Sequence, residues 1–315
     1  MKLFDGHARI IRGNRINKLL SDPEIGAGFL IERAASGIAD RLADVQRSFP
    51  DVAIIGSGGG AFAVALSGRA DAGTTVQIEP SPDLAKAVAN RVPDAVLRIA
   101  SEEAPDLQGQ SHDLVVGGLS LHRANDPVGV LTQMRLALRP DGLALVALFG
   151  GQTLQELRAS FAEAEAEVEG GISPRVAPMA EIRDLGSLLQ RAGFALPVAD
   201  VDRMEVAYQT PFHLMRDLRA MGEANPMADR RRTFTRRATM MRMAEIYTEN
   251  FSRPDGRVTA TFEIVYLTGW APADSQPQPL RPGSAKARLA DALGTSEKPA
   301  GDKTPHARRD VPPDD

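Results

Sequence analysis

One stretch, from Asp113 to Arg158, constrains the fold of this chain more than any other. It reads DLVVGGLSLHRANDP, a helical spacer, LRPDGLALVALFGG and then QTLQELR. An apolar run ends in small residues and a polar His-Arg-Ala-Asn-Asp turn. A helix follows, then a Pro-Asp-Gly turn, then a second apolar run ending in Gly150-Gly151. That order describes two neighbouring parallel strands of an α/β sheet, with polar groups gathered at their C-terminal ends. Open α/β sheets hold their ligands along that edge.

The flanking sequence extends the pattern. Apolar residues at helical spacing over Ala27–Phe49 predict an amphipathic lead-in helix. Asp51–Ile55 reads as a short buried strand, broken by Gly56–Gly60, with a helix resuming over Ala61–Ser67. Thr74–Glu79 is the next predicted strand, and Ser81 is placed to cap a helix over Pro82–Arg91. Ala95–Ala100, Asp113–Gly117 and Leu143–Phe149 follow as strands three to five. Beyond Gly151 the alternation stops. Gln152–Glu169 predicts a helix with Glu163, Glu165, Glu167 and Glu169 in solvent, and Ile182–Ala192 a second helix ended by Gly193. Met204–Tyr208 and Thr261–Gly269 predict two last strands around a helical, Met- and Arg-rich insert, His213–Asn250. The reading is a doubly wound α/β sheet of seven strands with a helical annex. It divides into a lead-in over 1–49, a main domain over 50–272 with its insert near 210–255, and a tail over 273–315.

Composition narrows the function classes. With 315 residues and 43% hydrophobic content, the chain can bury one substantial core. A net charge of −4 gives no footprint for nucleic-acid binding. Without cysteine, thiolate nucleophiles, disulfides and Cys-ligated metals are excluded. The five histidines show no compact ligand spacing, so no metal site is expected, and no G-x-S-x-G elbow supports a hydrolase. Arg9, Arg12, Arg15 and Lys18 imitate an organellar leader, but Asp5 and the lack of serine before Ser21 argue against one. No apolar run approaches the roughly 18 residues of a membrane span. A cytoplasmic protein is expected, with any membrane association peripheral and through a partner. From about Ala273 the chain turns rich in Pro, Gly and charge, a composition that predicts disorder, with local structure around Ala285–Leu293.

Several residues are candidates for chemistry. In Ile54-Ile55-Gly56-Ser57-Gly58-Gly59-Gly60 the glycines permit positive φ and close approach of a ligand to the backbone. The string, with Ala61, also satisfies the loose dinucleotide pattern, so by itself it does not separate nicotinamide from adenosylmethionine binding. Glu79, at the end of the second strand, is placed to accept hydrogen bonds from both hydroxyls of a ribose. His122 either orients a substrate and shuttles a proton or is merely structural. Asn125-Asp126-Pro127 reads best as a helix start with Asp126 as cap. The arginines 230–232, 236, 237 and 242 are either a solvated helix face or a docking surface for an acidic partner. Met240, Met241 and Met243 beside them are core or adaptable contacts.

Residues 50–150 resemble class I S-adenosylmethionine-dependent methyltransferases, through the Gly loop, the strand-end acid, DLVVGGLSLH and LRPDGLALVALF. FGGQTLQELR, EGGISPRVAP, IRDLGSLLQRAGF, DLRAMGEAN and ATFEIVYLTGW look like the methyltransferase-like assembly factor of respiratory complex I, in a bacterial member. That resemblance implies S-adenosyl-L-methionine as cofactor, held by Gly56, Gly58, Gly60, Glu79, Ser101, Glu102, Leu119 and Ser120. It implies either methyl transfer, with His122 or Tyr208 as base, or hydroxylation of an arginine on an iron–sulfur subunit of complex I. A non-catalytic assembly scaffold is the third possibility. The malonyl-carrier-protein O-methyltransferase of biotin synthesis is a similar family and the alternative. Three departures stand out. Glu79 replaces the usual aspartate, Ser101 stands where an acid usually contacts the adenine amine, and Arg123 replaces a tryptophan. Gly58→Val is expected to abolish cofactor binding and leave the fold intact.

Overall fold

A computed structural model describes residues 2–8, 10–11, 28–56, 58–67 and 74–277. The chain divides into two units, Met1–Asp274 and Ser275–Asp315. Every strand and helix named below belongs to the first unit. Ser57, Ala27, the basic positions Arg9, Arg12, Arg15 and Lys18, and the tail from residue 278 with its Ala285–Leu293 segment lie outside the described residues.

The alternation of apolar residues sorts the strands onto two packed faces. In β1 (Asp51–Ile55), Val52 and Ile54 enter one core, while Ala53 and Ile55 enter the other. In β5 (Leu138–Phe149), Leu143, Leu145, Ala147 and Phe149 face the first core, while Ala144, Val146 and Leu148 face the second. Strands buried on both faces are what a parallel sheet covered by helices requires. The first face is covered by α1 (Phe29–Ala43) and α2 (Ala61–Leu66), and by α5 (Gln155–Glu169), α7 (Pro211–Ala220) and α8 (Arg237–Phe251). The second face carries α4 (Pro127–Ala137) and α6 (Ile182–Arg191). Helix α3 (Pro82–Arg91) joins β2 (Thr74–Glu79) to β3 (Val96–Ile99).

The seven-stranded sheet has the order β3-β2-β1-β4-β5-β7-β6, with β4 at His112–Gly118, β6 at Ala195–Tyr208 and β7 at Val258–Trp270. Strands β1 to β5 pair in parallel, whereas β7 runs antiparallel to both β5 and β6. The strand order reverses between β1 and β4, the point at which such sheets open a crevice. The α/β doubly wound architecture expected from the sequence is the one observed.

Several details differ from expectation. Strand β6 starts at Ala195, well before Met204, because seven further residues pair along β7, with a register shift at Leu196 and Pro197. The Pro-Asp-Gly turn is drawn into β5, with Asp141 at φ 64 and a register shift between His112 and Leu114. The helical insert is two helices, α7 and α8, separated by a non-helical stretch over residues 221–236. The arginines 230–232 therefore lie on a loop and not on a helix face. Ser81 and Asp126 do cap α3 and α4, each with proline at the start of the helix.

The row of glutamates on α5 is not uniformly solvated. Glu163 and Glu167 are exposed, but Glu165 is buried. Helical phase explains it: Glu165 follows Phe161 by one turn, on the stripe that Leu157, Phe161 and Ala164 press into the core. Its carboxylate accepts from the Ser173 backbone N–H at 2.6 Å and from Arg175 Nε at 2.6 Å.

Candidate functional site

Turns after the first four strands converge at the reversal point. Gly56 and Gly58 follow β1 with φ 71 and φ 59, conformations that favour glycine. A Cβ on Gly56 would lie 2.8 Å from Glu102 Oε1 and 2.9 Å from the Gly118 carbonyl. The loop therefore sits against the turns after β3 and β4 because it carries no side chain. Glu79, at the end of β2, is 1% exposed. Leu119, after β4, takes φ 43 while its N–H donates to the Ala147 carbonyl at 2.8 Å.

These residues enclose a cavity of about 60 Å³, with Phe62 and Leu84 as apolar walls and Glu79, Glu102 and Glu223 as its carboxylates. Arg123 supplies the cationic lining group. Three carboxylates against one guanidinium suit a ligand with hydroxyls and a positive charge, and oppose a pyrophosphate. The helix after the loop, Ala61–Leu66, is also only 6 residues long, so it adds little of the dipole that a phosphate would use. The donor chemistry fits an adenosine bearing a cationic group. The volume lies below the roughly 300 Å³ of small-molecule pockets, so binding requires wall side chains to move apart.

A second cavity of about 770 Å³ adjoins the first, with Arg123, Phe149 and Glu223 lining both. Its apolar walls include Leu157, Phe161, Met215, Met240 and Phe262. His122 lines it with a side chain only 1% exposed, its Nε2 3.2 Å from Glu223 Oε2. The imidazole packs edge-on against Phe149, ring centres 5.0 Å apart. Arg123 spans the wall, donating to the Leu119 carbonyl at 3.1 Å and pairing with Glu223 Oε1 at 3.1 Å.

Ion pairs hold the loops around this larger cavity. Arg175 pairs with buried Glu165, Arg231 with Glu169 at 2.9 Å and Arg230 with Asp5 at 2.9 Å. Much of the basic cluster is thus engaged inside the protein. Arg242, on α8, reaches Glu167 at 2.6 Å. Near the start of the chain, Phe4 bridges to Met227 and donates its N–H to Asn125 Oδ1 at 2.9 Å. Asn125 is therefore a clamp on the N-terminal segment.

Of the sequence-assigned residues, the small cavity gathers Gly56, Gly58, Glu79, Glu102 and Leu119, and the large one His122. Gly60, Ser101, Ser120 and Tyr208 line neither. A Cβ on Gly60 would meet Arg91 of α3 at 3.4 Å, so that glycine packs helices together. Ser101 is exposed, its Oγ accepting from the Glu103 N–H at 3.2 Å, whereas neighbouring Glu102 points inward. Ser120 is buried beneath the glycine loop. Tyr208 is buried at the end of β6, in the core that backs the cavities, where burial and the Asp217 carboxyl both push its hydroxyl pKa up. That is the wrong direction for a base. Gly58→Val would also strain the packing beneath the loop, since a Cβ there would lie 2.5 Å from Ile31 Cγ2 on α1.

Sequence reasoning did not assign Glu223 or Phe149 to the site. Phe149 ends the fifth predicted strand, and the strand ends form the ligand edge. Glu223 follows α7 inside DLRAMGEAN, a string that carries the family resemblance without assigning a role, and only the fold carries it to the wall. Among the described residues, no cluster of three His, Cys, Asp or Glu is arranged for a metal, and no helix is long and apolar enough to cross a membrane.

Comparison with known proteins agrees with this geometry. A methyltransferase-domain family matches residues 54–146, from β1 to β5. A candidate methyltransferase from Bacillus halodurans superposes with a TM-score of 0.54 at 13% identity, covering 76% of this chain and 99% of that one. The malonyl-[acyl-carrier protein] O-methyltransferase of Laribacter hongkongensis is 33% identical over 258 residues, 78% of this chain and 84% of the relative. The mitochondrial arginine-hydroxylase NDUFAF5 of Danio rerio is 40% identical over 291 residues, 92% of this chain and 89% of the relative. With that identity across nearly the whole of both chains, the protein belongs to the arginine-hydroxylase NDUFAF5 family of enzymes built on the methyltransferase fold.

Proposed function

We propose that this protein binds S-adenosyl-L-methionine in the small cavity and modifies an arginine of a protein substrate, an iron–sulfur subunit of respiratory complex I, during assembly. One observation carries the reading: two adjoining cavities share a wall of Arg123, Phe149 and Glu223, in a chain 40% identical to an arginine-hydroxylase. When bound, adenosylmethionine supplies a sulfonium-activated methyl group. Glu79 would hold the ribose hydroxyls, Phe62 and Leu84 would cover the apolar faces, and Glu102 would face the adenine side. His122, fixed by Glu223 and Phe149, would orient the substrate at the shared wall and carry a proton on its imidazole. The apolar walls of the large cavity would exclude water from that contact. We place the protein in the cytoplasm, reaching any membrane through its partner; cell fractionation tests this.

Calorimetry with adenosylmethionine and with NAD tests the cofactor, and binding of the first alone is expected. Tight NAD binding refutes it. Mass spectrometry of the iron–sulfur subunit from a strain lacking this protein tests the substrate. Loss of one oxygen from an arginine supports hydroxylation, and loss of one methylene supports methylation. An unchanged mass removes the protein substrate. The second reading, methylation of a malonyl carrier protein, draws on the Laribacter relative and on the arginines around the large cavity, which suit a carboxylate. Methyl transfer to that carrier in vitro is its test.

A further inference from the structure

Charge around the large cavity is arranged unevenly. Six arginines line it, at positions 123, 175, 219, 230, 231 and 232, against one acid among the described residues, Glu223. Four of the six are committed to ion pairs, Arg123 with Glu223 itself. Arg219 and Arg232 are exposed at the rim and have no ion pair among the described residues. The cavity is thus cationic at its mouth and has its acid at the inner wall, beside the cofactor cavity.

Resting on the proposed arginine substrate, we propose that Glu223 is the specificity residue of this site, the carboxylate that receives the substrate's guanidinium. Arg123 already shows the fit, because its own guanidinium meets Glu223 Oε1 at 3.1 Å. A carboxylate offers about four acceptor positions, so an incoming guanidinium shares Glu223 with Arg123 or displaces it. His122 holds Oε2 from the other side, which fixes the carboxylate plane for a bidentate partner. Phe149 borders the same point and provides an aromatic wall for a planar cation. Because Glu223 lines both cavities, a guanidinium bound there lies next to the cofactor site. The cationic rim suits a substrate segment that carries an acid beside its arginine.

The test uses the full chain and two peptides, one with a single arginine between glutamates and its citrulline twin, which keeps the shape and loses the charge. The wild type should prefer the arginine peptide by about 10-fold or more, the weight of a charge-assisted contact. Glu223→Gln should erase that preference, and Glu223→Asp should retain part of it. Thermal unfolding shows that each variant is folded. A preference that survives in folded Glu223→Gln overturns the proposal alone and leaves the arginine reading standing. If the wild type shows no preference while the subunit still depends on this protein for its modification, Glu223 again loses its role and the reading stands. No preference together with an unchanged subunit mass overturns both.

Discussion

The two cavities share a wall but are built by different means. The smaller is lined chiefly by the turns after β1 to β4, anchored to parallel strands buried on both faces. The larger is lined by segments far apart in sequence, α5, the loop near Arg175, α7 and the loop over residues 227–236, tied by ion pairs. Backbone geometry shapes the first, and paired side chains shape the second. A change in the first should act on what is bound; a change in the second should act first on whether the cavity exists.

Glu165→Ala should give the largest effect, since it leaves the Arg175 guanidinium without its buried partner at a cost of about 3 kcal/mol, read by urea unfolding. Burial raises the pKa of the Glu165 carboxyl, but hydrogen bonds from Ser173 and Arg175 outweigh it and leave the value below the ordinary 4.5. A group depressed in the folded state stabilises fully above its unfolded pKa and loses that contribution as pH falls through the folded one. Wild-type stability should therefore decline on acidification through and below pH 4.5, and the variant should show a flatter profile. Equal slopes would mean that the ion pair does not hold the large cavity.

Glu79→Ala should weaken adenosylmethionine by roughly 100-fold, the loss of two charge-assisted hydrogen bonds, with unfolding behaviour little changed. Unaltered affinity in calorimetry would sever the small cavity from the cofactor. Gly58→Ala sharpens the contrast from the other direction. Its φ of 59 and the approach to Ile31 should cost about 2 kcal/mol in thermal unfolding. If stability holds and only binding falls, the loop serves the ligand and not the packing of α1. The smallest effect is expected at Phe234, wholly exposed at the edge of the large cavity. Phe234→Ser should shift stability by less than about 0.5 kcal/mol. Any kinetic change should then fall on the KM for the protein substrate and not on kcat.

Legibility in the sequence divides along the same line. Gly56 and Glu79 were legible because strand ends of a parallel sheet gather at its ligand edge, whereas Glu102 came in only through the family resemblance, as the neighbour of Ser101. Glu223 was not legible, since its place depends on α7 packing against β6 and α8, a tertiary fact without a local periodicity. The stretch over 221–236 was misread as helix because its arginines and methionines favour helices, while tertiary ion pairs hold part of it as loop. Glu165 was legible in principle. Its helical phase pointed inward, and the acidic composition of the run concealed that.

The pairing of the chain's start with the site has a consequence for biosynthesis. Phe4 is tied to Asn125, 121 positions on, and Asp5 to Arg230, 225 positions on. Contacts of such separation close late, after the entropy of the intervening loop has been spent. On the ribosome the first residues must wait for nearly the entire sheet to emerge before they can dock. The turns after β1 to β4 precede α7 in the chain by about a hundred residues or more, so the wall that Glu223 gives to both cavities is the last part of the smaller to emerge.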